Sequence, residues 1–263
     1  MRIVLPTGLD PAQDYHGQRI AQELAPPGDA AAPPEDMTYV FIVFSNRSGS
    51  TLLGELLAAS GFFNRTTEPL NADAVIPGAR ARKLGSFAAY FAAVVRESAR
   101  NRHFVVKASV GQLAVLAAHG ILGRILPRAR FIQTERMDKV AQVVSWSIAA
   151  QTGRFTSYQP PGERAAPQYD GPALRRSLEG LVGVHARTSM FFALNGIVPF
   201  QVTYEALAAR PGETAEQVCA WLGHPELRCD PALVGLQRQW TDRNAEWSRR
   251  FVEEQRGAAA PQT

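Results

Sequence analysis

The seven residues TYVFIVF at 38–44 are aromatic or β-branched throughout, with no polar alternation. A strand of that kind has no face to offer water, so it belongs in the middle of a sheet covered on both sides. It runs directly into the small polar loop SNRSG and then into STLLGELLAAS, which places Leu52, Leu53, Leu56 and Leu57 along one side of a helix that closes at Gly61. One buried strand feeding one amphipathic helix is half of a βαβ unit, and this constrains everything downstream.

The alternation repeats. HFVVKAS (103–109) reads as strand and VGQLAVLAAHG as helix ending at Gly120. ARFIQTE (129–135) reads as strand and MDKVAQVVSWSIAAQTG as helix ending at Gly153. IVPFQVTYE (197–205) reads as strand and TAEQVCAWLG (214–223) as helix, with Thr214 as its N-cap. Repeated strand–helix units predict the α/β class: a single domain with a parallel sheet flanked by helices. Residues 1–38 read as an N-terminal extension, with weakly periodic PAQDYHGQRIAQELA followed by the Pro/Ala-rich linker PPGDAAAPPED. The folded domain is expected over 39–255, with 256–263 as a flexible tail. The Pro-rich stretch 156–172 reads as a long functional or mobile loop.

Composition narrows the function classes. Twenty-eight basic against 24 acidic residues leave a formal charge of +4, and the basic residues are scattered rather than massed in a stripe. That balance favours a small anionic ligand over nucleic acid. The N-terminus lacks the apolar run of a signal peptide and no stretch is long enough to span a bilayer, so a cytoplasmic protein is expected. The two cysteines, Cys219 and Cys229, lie outside any C-x-x-C pair and read as buried thiols, with a single disulfide as the alternative. The five histidines have no metal-ligand spacing, so no metal is expected, and His103 at a strand start reads as structural. No G-x-S-x-G elbow is present.

The loop after the first strand is the chemical feature. Unpaired amides and the dipole at a helix N-terminus attract an anion, commonly a phosphate. Gly49 permits close backbone approach; Ser48, Ser50 and Thr51 add hydroxyls; Arg47 adds a planar cationic fork. The bland alternative is a capped helix with Arg47 in solvent. The Walker pattern G-x-x-x-x-G-K-[ST] and its lysine are absent, so the anion is expected to bind without Mg²⁺.

At SNRSGSTLLGELLAASG the chain resembles the 5′-phosphosulfate loop of sulfotransferases that use 3′-phosphoadenosine 5′-phosphosulfate (PAPS), and in particular the bacterial trehalose 2-sulfotransferase-like branch. TERMDKVAQVVSWSIAAQTGRF (134–155), VTYEALAARPGETAEQVCAWLG (202–223) and LQRQWTDRNAEWSRRF (236–251) match that branch in the same order. The resemblance implies the P-loop-type sulfotransferase fold and transfer of a sulfuryl group to a hydroxyl of a small acceptor, a carbohydrate or glycolipid by family analogy. It implies that Arg47, Ser48, Gly49, Ser50, Thr51 and Leu52 hold the phosphosulfate, with Arg47 in the place of the catalytic Lys of cytosolic relatives. Arg136 and Ser145 correspond to the residues that hold the 3′-phosphate, nine apart where the cytosolic enzymes have eight. Glu68 falls where the branch carries its general base, although Pro69 and Leu70 replace the usual aromatic pair. A homodimer is implied as well, with the apolar stripe on 233–251 as its candidate face. Trp240 and Trp247, seven apart, read as one face of the last helix. The competing readings are a phosphotransferase or nucleotide hydrolase with a degenerate loop, and a non-catalytic nucleotide-binding module.

Overall fold

A computed structural model of the chain describes residues 1–25, 32–159, 166–237 and 239–258. Four parallel strands form one sheet in the order β2-β1-β3-β4: β1 (Thr38–Phe44), β2 (His103–Ala108), β3 (Ala129–Glu135) and β4 (Phe200–Thr203). The register aligns Phe41 with Val106 on one side and with Phe131 on the other. β1 sits between its neighbours because it is apolar on both faces. Tyr39, Phe41 and Val43 join one core; Val40 and Ile42 join the opposite one.

The helices divide over these two faces. Against Val40 and Ile42 pack α2 (Ser50–Ala59), α9 (Tyr204–Ala209) and α10 (Pro211–Trp221). The other face carries α3 (Ala72–Ala81), α4 (Phe87–Ser98), α5 (Val110–Ala118), the short α6 (Ile121–Ile125) and the C-terminal part of α8 (Gly171–Leu194). α7 (Lys139–Thr152) and the other end of α8 meet α11 (Asp242–Ala258) in a third, smaller core built on Val144, Trp247 and Phe251.

The connection leaving β1 crosses to β2 on one side, and the one leaving β3 runs to β4 on the other. The carboxyl ends of β1 and β3 therefore flank the crevice where strand order reverses. That is where open parallel sheets bind ligands. The loop 45–49 leaves the first of these ends and Arg136 the second.

Several expectations from sequence need correction. The fourth strand covers only 200–203, because Tyr204 and Glu205 already open α9. Thr214 is not an N-cap: Pro211, whose missing N–H costs nothing at a first helical position, starts α10, and Thr214 lies inside it with its hydroxyl donating to Ala206 O. The closing helix begins at Asp242, so Trp240 precedes it and does not share a face with Trp247. Within the 233–251 stripe, Trp247 and Phe251 are buried against α7 and α8, whereas Leu233 is exposed. α3, α4 and α8 have no counterpart in the sequence reading; Pro77 interrupts the pattern of the first and two glycines that of the last.

The N-terminal extension packs rather than dangles. Its helix α1 (Tyr15–Glu23), capped by Asp14, lies against α3 and α5, and Ile20 is fully buried in the larger core. The centre of the Pro/Ala-rich linker (26–31), part of the 156–172 loop (160–165) and the end of the tail (259–263) lie outside the described residues. Cys219 and Cys229 are free, buried thiols with Sγ atoms 3.6 Å apart. His103 is structural, its Nδ1 on Asn101 O and its Nε2 facing His224 Nε2 at 3.4 Å. No single helix among the described residues is long and apolar enough to cross a membrane.

Candidate active site

The loop after β1 is held in an unusual backbone path. Arg47 has φ +67° and Gly49 φ +89°. A side chain at Gly49 would also meet Tyr204 Cδ2 at 3.0 Å, so both conformation and space demand glycine there. A non-glycine residue such as Arg47 in this region carries strain, which persists only where surrounding contacts over-determine it. Those contacts are present. Gln142 on α7 donates to Ser45 Oγ at 2.9 Å and to Asn46 O at 2.8 Å. The Arg47 guanidinium donates through Nε to Ser145 Oγ at 2.9 Å, through one terminal nitrogen to the carbonyl of Phe155, and through the other to Gln239 Oε1 at 3.2 Å.

Arg47, Gly49, Ser50, Thr51, Leu52, Arg136 and Ser145 all border one cavity of about 360 Å³, a size suited to a small organic ligand. The structure thus brings together residues that sequence reading drew from two distant segments. Ser48 is the exception. Its hydroxyl is buried against Thr134 Oγ1 at 2.8 Å, so it braces the loop on β3 and is not offered to the cavity.

Burial and the nearby Arg136 cation both push the Arg47 guanidinium below its ordinary value, though an arginine remains charged across the working range. Arg136, itself 7% exposed, lies with its guanidinium carbon 4.7 Å from the Tyr204 ring centre and 5.3 Å from that of Trp240. The turn that carries it is clamped by Glu205, whose carboxylate accepts from the backbone N–H of Met137 and Asp138. Burial works against that carboxylate, but these amides and Arg136 hold it below the usual range. Two converging cations in a half-enclosed space with aromatic walls form a receptor for a polyanion bearing a flat ring.

Glu68 borders a second cavity of about 620 Å³, which shares Phe155 with the first. Its segment is fixed by two contacts. Asn64 pairs with the edge strand, donating to Val105 O at 2.9 Å and accepting from Val105 N at 2.8 Å. Gly54 lets α2 close onto Thr66, for a Cβ there would fall 1.9 Å from Thr66 Oγ1. The junction between the cavities is Lys107, which sequence reading missed. Its ammonium donates to Glu68 Oε1 at 2.7 Å and to Thr51 Oγ1 at 3.0 Å, with the side chain 7% exposed. The available signal was a single lysine within the otherwise apolar HFVVKA strand. Burial would raise the Glu68 carboxyl, but Lys107 and a 2.8 Å bond from Asn71 Nδ2 outweigh it and hold the group ionised below the usual carboxylate range.

The Stf0 sulphotransferase family model matches residues 106–254, more than half of the chain. The chain belongs to the Stf0 sulphotransferase family. The matched stretch includes Lys107, Arg136, Ser145, Tyr204 and Trp240, whereas the 45–51 loop and Glu68 precede it and join the site through geometry. Among solved structures, the chain is similar to the sulfotransferase domain of the Synechococcus PCC 7002 olefin synthase. The identity is 15% over 86% of this chain and 97% of that one, with a TM-score of 0.42. No curated protein sequence matches the chain. Membership of that family makes this α/β domain a sulfotransferase. Among the described residues there is no group of three or more side chains suited to a metal ion.

Proposed function

We propose that this sulfotransferase takes its sulfuryl group from PAPS, which occupies the first cavity, and passes it to a hydroxyl of an acceptor in the second. The observation that carries the reading is Lys107, which hydrogen-bonds the phosphate-loop residue Thr51 and the carboxylate Glu68 at once and so joins the two cavities. The loop amides, Ser50, Thr51 and Arg47 suit the 5′-phosphosulfate. Arg136 and Ser145 suit the 3′-phosphate, and the Tyr204 and Trp240 rings offer apolar surface to the adenosine.

In the reaction, the acceptor oxygen forms a bond to sulfur while the bond from sulfur to the bridging phosphate oxygen breaks. The electron pair leaves with adenosine 3′,5′-bisphosphate and the hydroxyl proton passes to Glu68. Arg47 and Lys107 are placed to stabilise charge that builds on the sulfuryl and bridging oxygens. Glu68 is a weak base, because both its oxygens already accept hydrogen bonds. A weak base suffices here: the hydroxyl proton becomes strongly acidic only as its oxygen bonds to sulfur, so proton transfer comes late. The second cavity mixes amide and hydroxyl groups, such as Gln112, Gln142 and Ser109, with the rings of Trp146 and Phe155. That lining supports a carbohydrate or glycolipid acceptor. The reading extends to a cytoplasmic protein that works as a homodimer without metal.

Incubation with ³⁵S-labelled PAPS and a panel of sugars and glycosides, in EDTA, tests the reading. Metal-independent transfer of label to a hydroxyl compound is the expected result. Transfer of label from γ-labelled ATP with Mg²⁺, and none from PAPS, would return the loop to phosphotransferase chemistry.

A further inference from the structure

The N-terminal extension reaches the second cavity. Tyr15 and His16, at the first turn of α1, border it together with Glu68 and Asn71. Their placement is not incidental. Asp14 caps α1 by accepting from the His16 and Gly17 amides at 3.0 Å each. Gly17 lies so close to the preceding chain that a Cβ would fall 2.2 Å from Pro11 O, and Ile20 one turn on is fully buried. The first turn of α1 is thus pinned from below by core packing and from its own end by a cap.

The imidazole of His16 is pinned as well. Its Nδ1 accepts the backbone N–H of Ala72, the first residue of α3, at 3.1 Å. A ring nitrogen that accepts has a lone pair, so in this neutral ring the proton resides on Nε2. That Nε2–H has no partner among the described residues, and the ring borders the same cavity as the Glu68 carboxylate. Glu68 Oε2 is occupied by Asn71, the residue next to Ala72, and Asn71 Oδ1 is in turn held by Gln112 Nε2 at 2.6 Å. A fixed donor therefore stands beside the carboxylate that faces the reacting hydroxyl, on the same α3 end.

Building on the sulfotransfer reading above, we infer that His16 is an acceptor-binding residue: its Nε2–H is donated to a second oxygen of the acceptor, next to the hydroxyl that Glu68 deprotonates. The acceptor class follows. It carries oxygen functions on neighbouring carbons, as in a vicinal diol, and the selection for that pattern comes from the N-terminal extension, outside the stretch that the family model matches.

The test compares trans-1,2-cyclohexanediol with cyclohexanol as acceptors of label from PAPS, for wild type, His16→Ala and His16→Gln. Glutamine can accept from Ala72 N–H through its oxygen and donate through its nitrogen, so it replaces both functions of the imidazole. The expected result is that His16→Ala lowers kcat/KM for the diol about three- to tenfold, the range of one lost hydrogen bond, chiefly through KM. Cyclohexanol is expected to be unaffected, binding of adenosine 3′,5′-bisphosphate unchanged, and the diol preference restored in His16→Gln. A merely structural clamp on α3 would lower both acceptors alike, and that outcome overturns the inference. So does an unchanged diol rate in His16→Ala, a His16→Gln variant no better than His16→Ala, or transfer to neither compound by a wild type that binds the bisphosphate. Failure to bind the bisphosphate at all counts instead against the donor reading.

Discussion

Glu68→Gln lowers sulfuryl transfer by about 10²- to 10⁴-fold, the range for loss of a positioned base, while adenosine 3′,5′-bisphosphate binds as before. The amide oxygen still accepts from Lys107 and only the bond from Asn71 Nδ2 is lost, so the fold is retained and the loss lies in kcat. Steady-state kinetics beside calorimetric binding separate the two quantities. The wild-type pH profile carries the same information. Glu68 is held below the ordinary carboxylate range, so its contribution to both activity and stability is complete above the unfolded-state value of about 4.3 and is lost only as pH falls through the lower, folded-state value. An acidic limb with its midpoint near neutrality in wild type would point to another group as the base.

Lys107→Met has the larger structural consequence. The lysine side chain is buried to all but 7% and bonds two partners from different segments. Its removal leaves Glu68 with Asn71 as its remaining hydrogen-bond partner and no cation beside it. Breaking such a pair on one side costs about 3 kcal/mol, at the lower end of the range because Glu68 is 36% exposed. Urea unfolding reads that loss directly. With the cation gone, the Glu68 carboxyl rises from its wild-type position because the attraction and hydrogen bond of Lys107 are lost, so the acidic limb of the pH–rate profile moves upward, and transfer falls about 100-fold as one charge-stabilising donor is lost. An unchanged limb with normal stability would mean that Lys107 and Glu68 are not coupled in solution.

How far the sequence reveals these residues depends on the range of the interaction that places them. Arg47, Gly49, Ser50 and Thr51 are legible because a buried strand, a small-residue loop and an apolar helix lie in one continuous stretch. Arg136 and Ser145 are legible only through the resemblance of 134–155 to the sulfotransferase branch; a strand-end arginine and a helix serine carry no signal of their own. The apolar fill of 38–44 announces a central strand, and the structure puts β1 between two neighbours. Lys107 is different. A lysine in a strand acquires meaning only from Thr51 and Glu68, which are 56 and 39 residues away. Trp240 was hidden by a heptad spacing to Trp247 that means nothing once the helix starts at Asp242. Ser48 shows the reverse case: the loop pattern makes its hydroxyl look available, but the register of β1 on β3 turns it onto Thr134. His16 lies in a segment whose weak periodicity gives no hint that it packs on α3 and α5 at all.

The assignment of the first cavity to PAPS requires that Arg136 read a phosphate on the 3′ position, a group that ordinary adenine nucleotides lack. Calorimetry in EDTA with adenosine 3′,5′-bisphosphate, AMP and ATP, on wild type and Arg136→Ala, addresses this directly. The account predicts that the 3′,5′-bisphosphate binds at least tenfold more tightly than AMP, a difference of about 1.4 kcal/mol, and that Arg136→Ala removes this margin while leaving AMP binding nearly as it was. Equal affinity for AMP and the 3′,5′-bisphosphate in wild type, or a margin that survives in Arg136→Ala, would contradict it.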